Sequence, residues 1–505
     1  MLPTLWYQDR LYSSDWIASE IDRLLAGLHA LDCGPGDTVA AMLRNSPQYV
    51  ALTLACRRAG LYLASVNWHF KALEAEHILN DSGACALFVD SDLLAQIAGG
   101  IPDHVALITV AGDAAHAASA SAPAPARAQD WAEFGAGLPA MPARTGLVHS
   151  AITYTSGTTG KPKGVRRIPP APGAHASAER FAQVMDIVYG RGDVAFLAAP
   201  IYHSAAMSYL GHFSNLGATL VLEPRFDAAR ALALIAKHRI THAYLVPTMY
   251  QRLLALPAEV RTQHDLSSLQ QVASTGSPCP VPLKQAMINW FGPIITEAYG
   301  SSEAGYTTFI DAADWQRHPG SAGRAMPDAE VRIFDEDGKA LPAGEIGLIH
   351  VRQHALSDFT YVNRPEARAA IERDGLVTLG DMGYLDADGF LFICDRKADM
   401  IISGGVNIYP AEIESVLHTM PGIADCAVFG IPDAEFGEGL AAAVQPLPGV
   451  QLDAAAVQSF LRERIANYKV PRIVDIHQQL PREDTGKIFK RKLRDPYWAG
   501  QARAI

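Results

Sequence analysis

Residues 153–164 read Thr-Tyr-Thr-Ser-Gly-Thr-Thr-Gly-Lys-Pro-Lys-Gly. The run crowds the hydroxyls of Thr153, Tyr154, Thr155, Ser156, Thr158 and Thr159 beside Gly157, Gly160, Gly164, Lys161 and Lys163. Glycines let backbone approach a ligand and turn its N–H groups inward. Hydroxyls and lysines donate to anionic oxygens. The pattern describes a phosphate cradle. It is not a Walker A loop, because position 155 is Thr rather than Gly and Pro162 follows Lys161 where Ser or Thr belongs. A short Gly-Thr-Thr-Gly alone reads as a surface turn; the longer Ser-Gly-Thr-Thr-Gly-x-Pro-Lys-Gly is far more specific.

Other constellations follow in order. Pro200-Ile-Tyr202-His203 comes after a strand-like run, at the end where open α/β sheets bind ligands. Alone, His203 reads equally as a pocket residue or a core histidine. Tyr299-Gly300-Ser301-Ser302-Glu303 suits a stacked base, a phosphate contact and a divalent metal; an ordinary loop fits equally well. Asp381, after Gly380 on a tight turn, suits an acceptor for a sugar diol. Lys487 lies in a basic run whose default reading is a solvated tail, but Thr485-Gly486 before it and Ile488-Phe489 after it imply a lysine held by a turn. His238 and His242 have helical metal spacing, yet a helix is expected to end near Arg239, so the pair reads as structural.

These residues must be positioned by alternating helices and strands. Ser14-Asp15 is expected to cap a helix with apolar positions Ile17, Ile21, Leu24, Leu25, Leu28 and Leu31. Strands are expected at 38–43, 61–66 and 84–89, with helices at 48–58 and 74–79. A second α/β run spans 193–246. The alternation implies largely parallel sheets covered on both faces. Residues 111–128, rich in Ala, Ser and Pro, read as an exposed connection. The chain turns antiparallel at 329–351, and from about residue 400 a compact α+β tail follows.

With 505 residues, more than one domain is expected. The net charge of −11 argues against general affinity for nucleic acid or anionic membrane. No signal peptide or membrane span is visible. The six cysteines (33, 56, 85, 279, 394, 426) lack metal spacing and read as reduced thiols of a cytoplasmic protein.

Taken together, the chain resembles the adenylate-forming enzymes: acyl-CoA synthetases, luciferases and the adenylation domains of peptide synthetases. The resemblance rests on six motifs in order: 155–164, 200–203, 299–303, 380–381, Asp395-Arg-Lys-Ala-Asp-Met-Ile-Ile-Ser-Gly-Gly405 and Gly486-Lys487. It implies an α/β fold in which a large N-terminal domain (1–394) of layered α/β sheets, plus a small β-barrel-like part, holds ATP and the acyl group. A hinge at 395–399 would join it to a small mobile α+β domain (400–505) carrying Lys487.

The implied reaction is ATP-dependent. A carboxylic acid and ATP give acyl-AMP and pyrophosphate; the thiol of coenzyme A then displaces AMP. Implied catalytic residues are Lys487, Glu303 and His203. ATP and AMP would be held by Thr155, Ser156, Gly157, Thr158, Thr159, Lys163, Gly276, Ser277, Pro278, Tyr299, Gly300, Ser301, Ser302, Asp381 and Arg396. Mg2+ would sit on Glu303 and Thr155. Tyr202, His203, Met207, Gly300 and Gly305 would wall the acyl pocket. Ser403, Gly404, Gly405, Phe436, Tyr468, Lys469 and Arg472 would meet coenzyme A.

The chain departs from the family pattern at Ala398, where the hinge usually has Asp or Lys, at Leu379 for a common Thr, and at Thr275 for a usual Gly. The expected substrate is a fatty, aromatic or alicyclic acid, and Ser277-Pro-Cys-Pro280 with Thr378-Leu-Gly-Asp381 resembles a subgroup acting on fatty, bile or steroid-side-chain acids. Expected partners are the acid and coenzyme A, with neither nucleic acid nor integral membrane, and a homodimer is allowed. The same motifs also fit an amine acceptor, as in an amide bond synthetase, a carrier-protein pantetheine, or a non-catalytic nucleotide-binding homologue.

Overall fold

The first helix, Ser14–Ala30, is capped one residue earlier than expected, because the Ser13 side chain accepts from the Trp16 amide at 3.1 Å. Helix Pro47–Ala59 starts with a Ser46 cap and a proline in its first turn, and ends on Gly60 in the left-handed region. These are local choices that the sequence makes for itself. The computed structural model describes residues 2–112, 127–139, 151–155, 162–169, 175–482 and 486–499.

Among the described residues, four sheets organise the fold. The first runs in the order Phe359–Tyr361, Lys163–Arg167, Ala151–Thr155, Tyr62–Ser65, Thr38–Met42, Ala84–Asp90, Ala106–Val110, Ala128–Asp130, and it is parallel from Ala151–Thr155 onward. The second has nine strands, with Ile295–Ser301, Gln271–Ser274, His242–Tyr244, Val194–Leu197 and Thr219–Leu222 side by side and parallel. One apolar core lies between these two sheets. It takes Val39, Phe88 and Ile108 from the first, Phe196, Leu220 and Ile295 from the second, and Ile21, Leu52 and Tyr209 from intervening helices. On its other face the first sheet packs Ala40, Leu87 and Val89 with Ile78 and Leu79 of helix Ala72–Ser82. Burial on both faces explains why these strands read as continuous apolar runs.

The part expected to be barrel-like is a five-stranded antiparallel sheet built on Gly347–Gln353 and Leu376–Leu385. The fourth sheet pairs Ile423–Asp433 with Gly437–Pro446 and adds Ile401–Ser403, Val406–Ile408 and Ile473–Ile476. Alternation splits its side chains: Cys426, Val428, Ala442 and Val444 face helices Pro410–Leu417 and Ala454–Arg462, while Ala427, Phe429, Ala441 and Ala443 face Leu480, Ile488 and Leu493.

One expectation is corrected. Cys33 and Cys85 are joined as a disulfide, so the six cysteines are not all thiols. A separation of 52 residues carries no motif, and only the fold brings the end of the first helix beside strand Ala84–Asp90. Among the described residues no helix is long and apolar enough to cross a membrane.

Candidate active site

The strand ends supply the site. Strand Ala151–Thr155 ends on Thr155, and its partner Lys163–Arg167 begins on Lys163, directly across from it in register. Ser156, Gly157, Thr158 and Thr159 of the expected cradle lie outside the described residues. Thr155 Oγ1 donates to the Lys163 carbonyl at 3.5 Å. The Lys163 ammonium lies 5.3 Å from the centre of the Tyr361 ring, and the Tyr361 hydroxyl donates to Glu303 Oε1 at 3.0 Å. Thr155, Lys163, Tyr361 and Glu303 therefore form one connected set across two sheets. Burial, then the Glu303 carboxylate, raises the Tyr361 pKa, which keeps that hydroxyl a donor. Arg167 donates to the Ser302 carbonyl; burial brings its pKa down to about 10, with Glu303 opposing, so it remains a cation at neutral pH.

The turn at 299–303 is built from within. Ser301 Oγ accepts from the amides of Glu303 and Ala304, each at 3.0 Å, so its hydroxyl shapes the turn that presents Glu303. Ser302 Oγ donates to Ser204 Oγ at 3.0 Å, tying this turn to the start of helix Ser204–Leu216. His203 is the N-cap residue of that helix, and Met207 lies one turn on, its amide donating to the His203 carbonyl at 2.9 Å. The Tyr202 and His203 rings sit 4.2 Å apart. Gly300 and Gly305 face each other across a hairpin: a Cβ on Gly300 would stand 2.1 Å from the Gly305 carbonyl oxygen, so no larger residue fits.

Tyr299 and Asp381 meet directly, the hydroxyl donating to Asp381 Oδ2 at 2.7 Å. Burial, followed by Asp381, holds the Tyr299 pKa well above its ordinary value. Arg396 lies opposite Asp381 in the strand pairing, with Nε 3.5 Å from Oδ1. Thr275 and Gly276 follow strand Gln271–Ser274, and the Tyr244 hydroxyl donates to the Thr275 carbonyl at 3.3 Å. Ser277 and Pro278 continue that turn.

The turn of Lys487 meets helix Pro247–Leu254. Gly486 has φ of 82° and packs so closely on Thr248 that a Cβ there would come within 2.1 Å of its side chain. Thr248 lies in the first turn of helix Pro247–Leu254, which follows strand His242–Tyr244 of the sheet that also holds Tyr299 and leads into Thr275.

The remaining expected residues gather elsewhere. Gly404 donates its amide to the Phe436 carbonyl at 2.9 Å, Ser403 pairs with Gly437, and the Arg472 guanidinium lies 5.3 Å from the Phe436 ring centre. Arg472 is also bound to Asp433 at 2.5 Å, and Lys469 to Glu412 at 2.6 Å, so neither cation is idle. Tyr468 and Phe436 are exposed. His238 and His242 lie on different elements, a helix end and a strand.

Sequence reasoning missed Tyr361, Arg167 and Ser204. Tyr361 stands 58 positions from Glu303, and no local pattern joins them. Arg167 alone had a signal, as a cation in the strand leaving the glycine-rich loop.

Chemically, the site offers hard oxygen donors at Glu303 and Thr155, suited to Mg2+. Beside them stand the cations Lys163 and Arg167, and a carboxylate, Asp381, set against an aromatic ring.

Residues 8–358 match the family described as AMP-binding enzyme, and residues 412–487 match the AMP-binding enzyme C-terminal domain. A feruloyl-CoA synthase of Amycolatopsis sp is 34% identical over 95% of this chain and 92% of its own length. An indoleacetate–CoA ligase of Aromatoleum aromaticum is 36% identical over 97% of this chain and 94% of its own. The crystal structure of ATP-bound MatB from Rhodopseudomonas palustris superposes with a TM-score of 0.83 at 29% identity, covering 98% of this chain and 96% of that one. The chain belongs to the AMP-binding enzymes, in the acyl-CoA synthetase branch of the adenylate-forming superfamily.

Proposed function

We propose that the protein is an AMP-forming acyl-CoA ligase acting on an aromatic, alicyclic or fatty carboxylic acid. In the first step a carboxylate oxygen attacks the α-phosphorus of ATP and pyrophosphate leaves. In the second the coenzyme A sulfur attacks the acyl carbon, AMP departs with the bonding pair, and the thiol proton is released. What supports this reading is the packing of Gly486, next to Lys487, on Thr248 of the helix that follows strand His242–Tyr244, in the sheet that also carries Tyr299.

Two anions must meet in the first step, and a cation delivered there lowers the barrier. Lys487 is that cation, bridging the carboxylate and the α-phosphate. Thr155 and Lys163, with 156–159, hold the outer phosphates, and Ser302 the α-phosphate. Tyr299 and residues 276–278 form the adenine slot, and Asp381 with Arg396 takes the ribose. Glu303 and Thr155 would hold Mg2+, which neutralises phosphate charge when bound. His203, Met207, Gly300 and Gly305 wall the acyl group. Residues 395–399 are the hinge between 1–394 and 400–505. Rotation about it exchanges Lys487 for the Ser403–Gly405 loop, with Phe436 and Arg472 receiving coenzyme A. We assign the enzyme to the cytoplasm, with the Cys33–Cys85 disulfide as an exception to the reduced thiols usual there, and without nucleic acid as a partner, in keeping with its charge of −11.

The test is acid-dependent pyrophosphate release over a panel including ferulate, indole-3-acetate and octanoate, with and without coenzyme A. Release with conversion to thioester is expected. Adenylate that reaches only an amine or a carrier protein would replace the ligase reading.

A further inference from the structure

Lys487 can act only if its turn is held, and the structure shows what holds it. Arg482 stands across the turn, bridged to Ile488 in antiparallel fashion. Its guanidinium reaches two ways: Nη1 donates to the Gly486 carbonyl at 2.9 Å, and Nη2 to Asp425 Oδ2 at 2.6 Å. Asp425 is itself buried, its other oxygen accepting from the Cys426 amide at 2.8 Å and lying 3.5 Å from His418 Nε2. The same Oδ2 faces Gln251 across the docking surface, at 3.5 Å.

Thr248 and Gln251 lie three residues apart on helix Pro247–Leu254, hence on one face. That face therefore meets the tail at two points: Thr248 against Gly486, and Gln251 against Asp425. Arg482 joins the two points on the tail side. A forked guanidinium suits this, because its donors are fixed in one plane and can serve a carbonyl and a carboxylate together.

We infer that Arg482, braced by Asp425, is a positioning residue for the adenylation half-reaction: it sets the Gly486–Lys487 backbone against helix Pro247–Leu254 so that the ammonium arrives in register with the site. The inference rests on the proposed role of Lys487. Arg482 acts through the turn and does not touch the reacting atoms. Both of its bonds lie within 400–505, but the turn they shape is used by adenylation alone, so the two half-reactions must feel its loss differently.

The experiment measures both half-reactions in the full-length protein. Adenylation is followed by acid-dependent exchange of labelled pyrophosphate into ATP, and transfer by thioester formation from the supplied synthetic adenylate of the best acid. Arg482→Ala is expected to slow exchange at saturating substrates by about 100-fold, the scale of a misplacement near 1 Å, and to leave transfer within about twofold. Arg482→Lys, which keeps a charge for Asp425 but loses the fork, should recover part of the exchange rate. Asp425→Asn, which preserves shape, should show the same split at smaller amplitude and covers the case in which Arg482→Ala fails to fold. Equal loss of both half-reactions across these variants, or unchanged exchange in them, overturns the positioning role. Absence of exchange in the unaltered protein would instead overturn the ligase reading.

Discussion

The fourth sheet carries two sites that differ in how they meet the rest of the chain. The Lys487 turn hangs from one face of the sheet, anchored by Ile488 on the Phe429–Ala441 side, and its Gly486 is pressed on Thr248. The Ser403–Gly405 loop sits at the sheet's edge, between the short strands Ile401–Ser403 and Val406–Ile408, with Phe436 exposed beside it. One site is docked and the other faces solvent. The contact that docks the first is made by a glycine, so it depends on backbone shape, whereas the second is built from an exposed ring, a cation and two glycines with φ of 57° and 81°. Under the proposed function the docked turn belongs to adenylation and the exposed loop to transfer, so the two half-reactions should answer differently to changes at the two places.

The strongest way to break this comparison is at the docked site. Lys487→Ala should cut adenylation by about 1,000-fold, the upper range for a lost electrostatic stabiliser, with transfer from supplied adenylate nearly unchanged. Parallel loss in the two assays would dissolve the distinction. At the exposed site the asymmetry should reverse. Phe436→Ala combined with Arg472→Ala should raise the KM for coenzyme A by about 10- to 100-fold, as expected for a lost aromatic and cationic anchor, while pyrophosphate exchange holds steady. A steady KM would move coenzyme A off this edge.

The fixed part of the site gives a smaller effect shared by both steps. Tyr299→Phe removes the hydroxyl that donates to buried Asp381. The KM for ATP should rise by about tenfold, in line with a hydrogen bond to a charged group, and initial-rate kinetics would read it. The smallest effect concerns the strand beneath the docking helix. Burial, and then His212, lower the His242 pKa from 6.5 to about 4. The folded state therefore binds its proton less readily than the unfolded chain does. Stability from this group is complete above pH 6.5 and is lost as pH falls toward 4. Thermal midpoints taken across that window should decline, and His242→Asn should flatten part of the decline.

The pieces of the candidate site were legible because each is a short local motif. Thr155 and Lys163 flank one loop, Ser301 to Glu303 form one turn, and Gly486 precedes Lys487. The bonds that make those pieces a site were not legible. Tyr361 reaches Glu303 through strand Phe359–Tyr361 joining the first sheet at its edge, and Arg482 reaches Asp425 across 57 positions. Such contacts follow from register and packing, which no short window encodes. The fold was read from burial: strands covered on both faces print as apolar runs, and helices print their caps, though Ser13 and Ser14 compete for one cap and only geometry decides.

The bond between Cys33 and Cys85 has a consequence for anyone handling the protein. It ties a loop of 52 positions through the first sheet, and closing a loop of that length removes enough freedom from the unfolded chain to contribute about 4 kcal/mol. Material purified in air and material kept in a reducing buffer are then thermodynamically different samples, and their melting curves belong on separate axes.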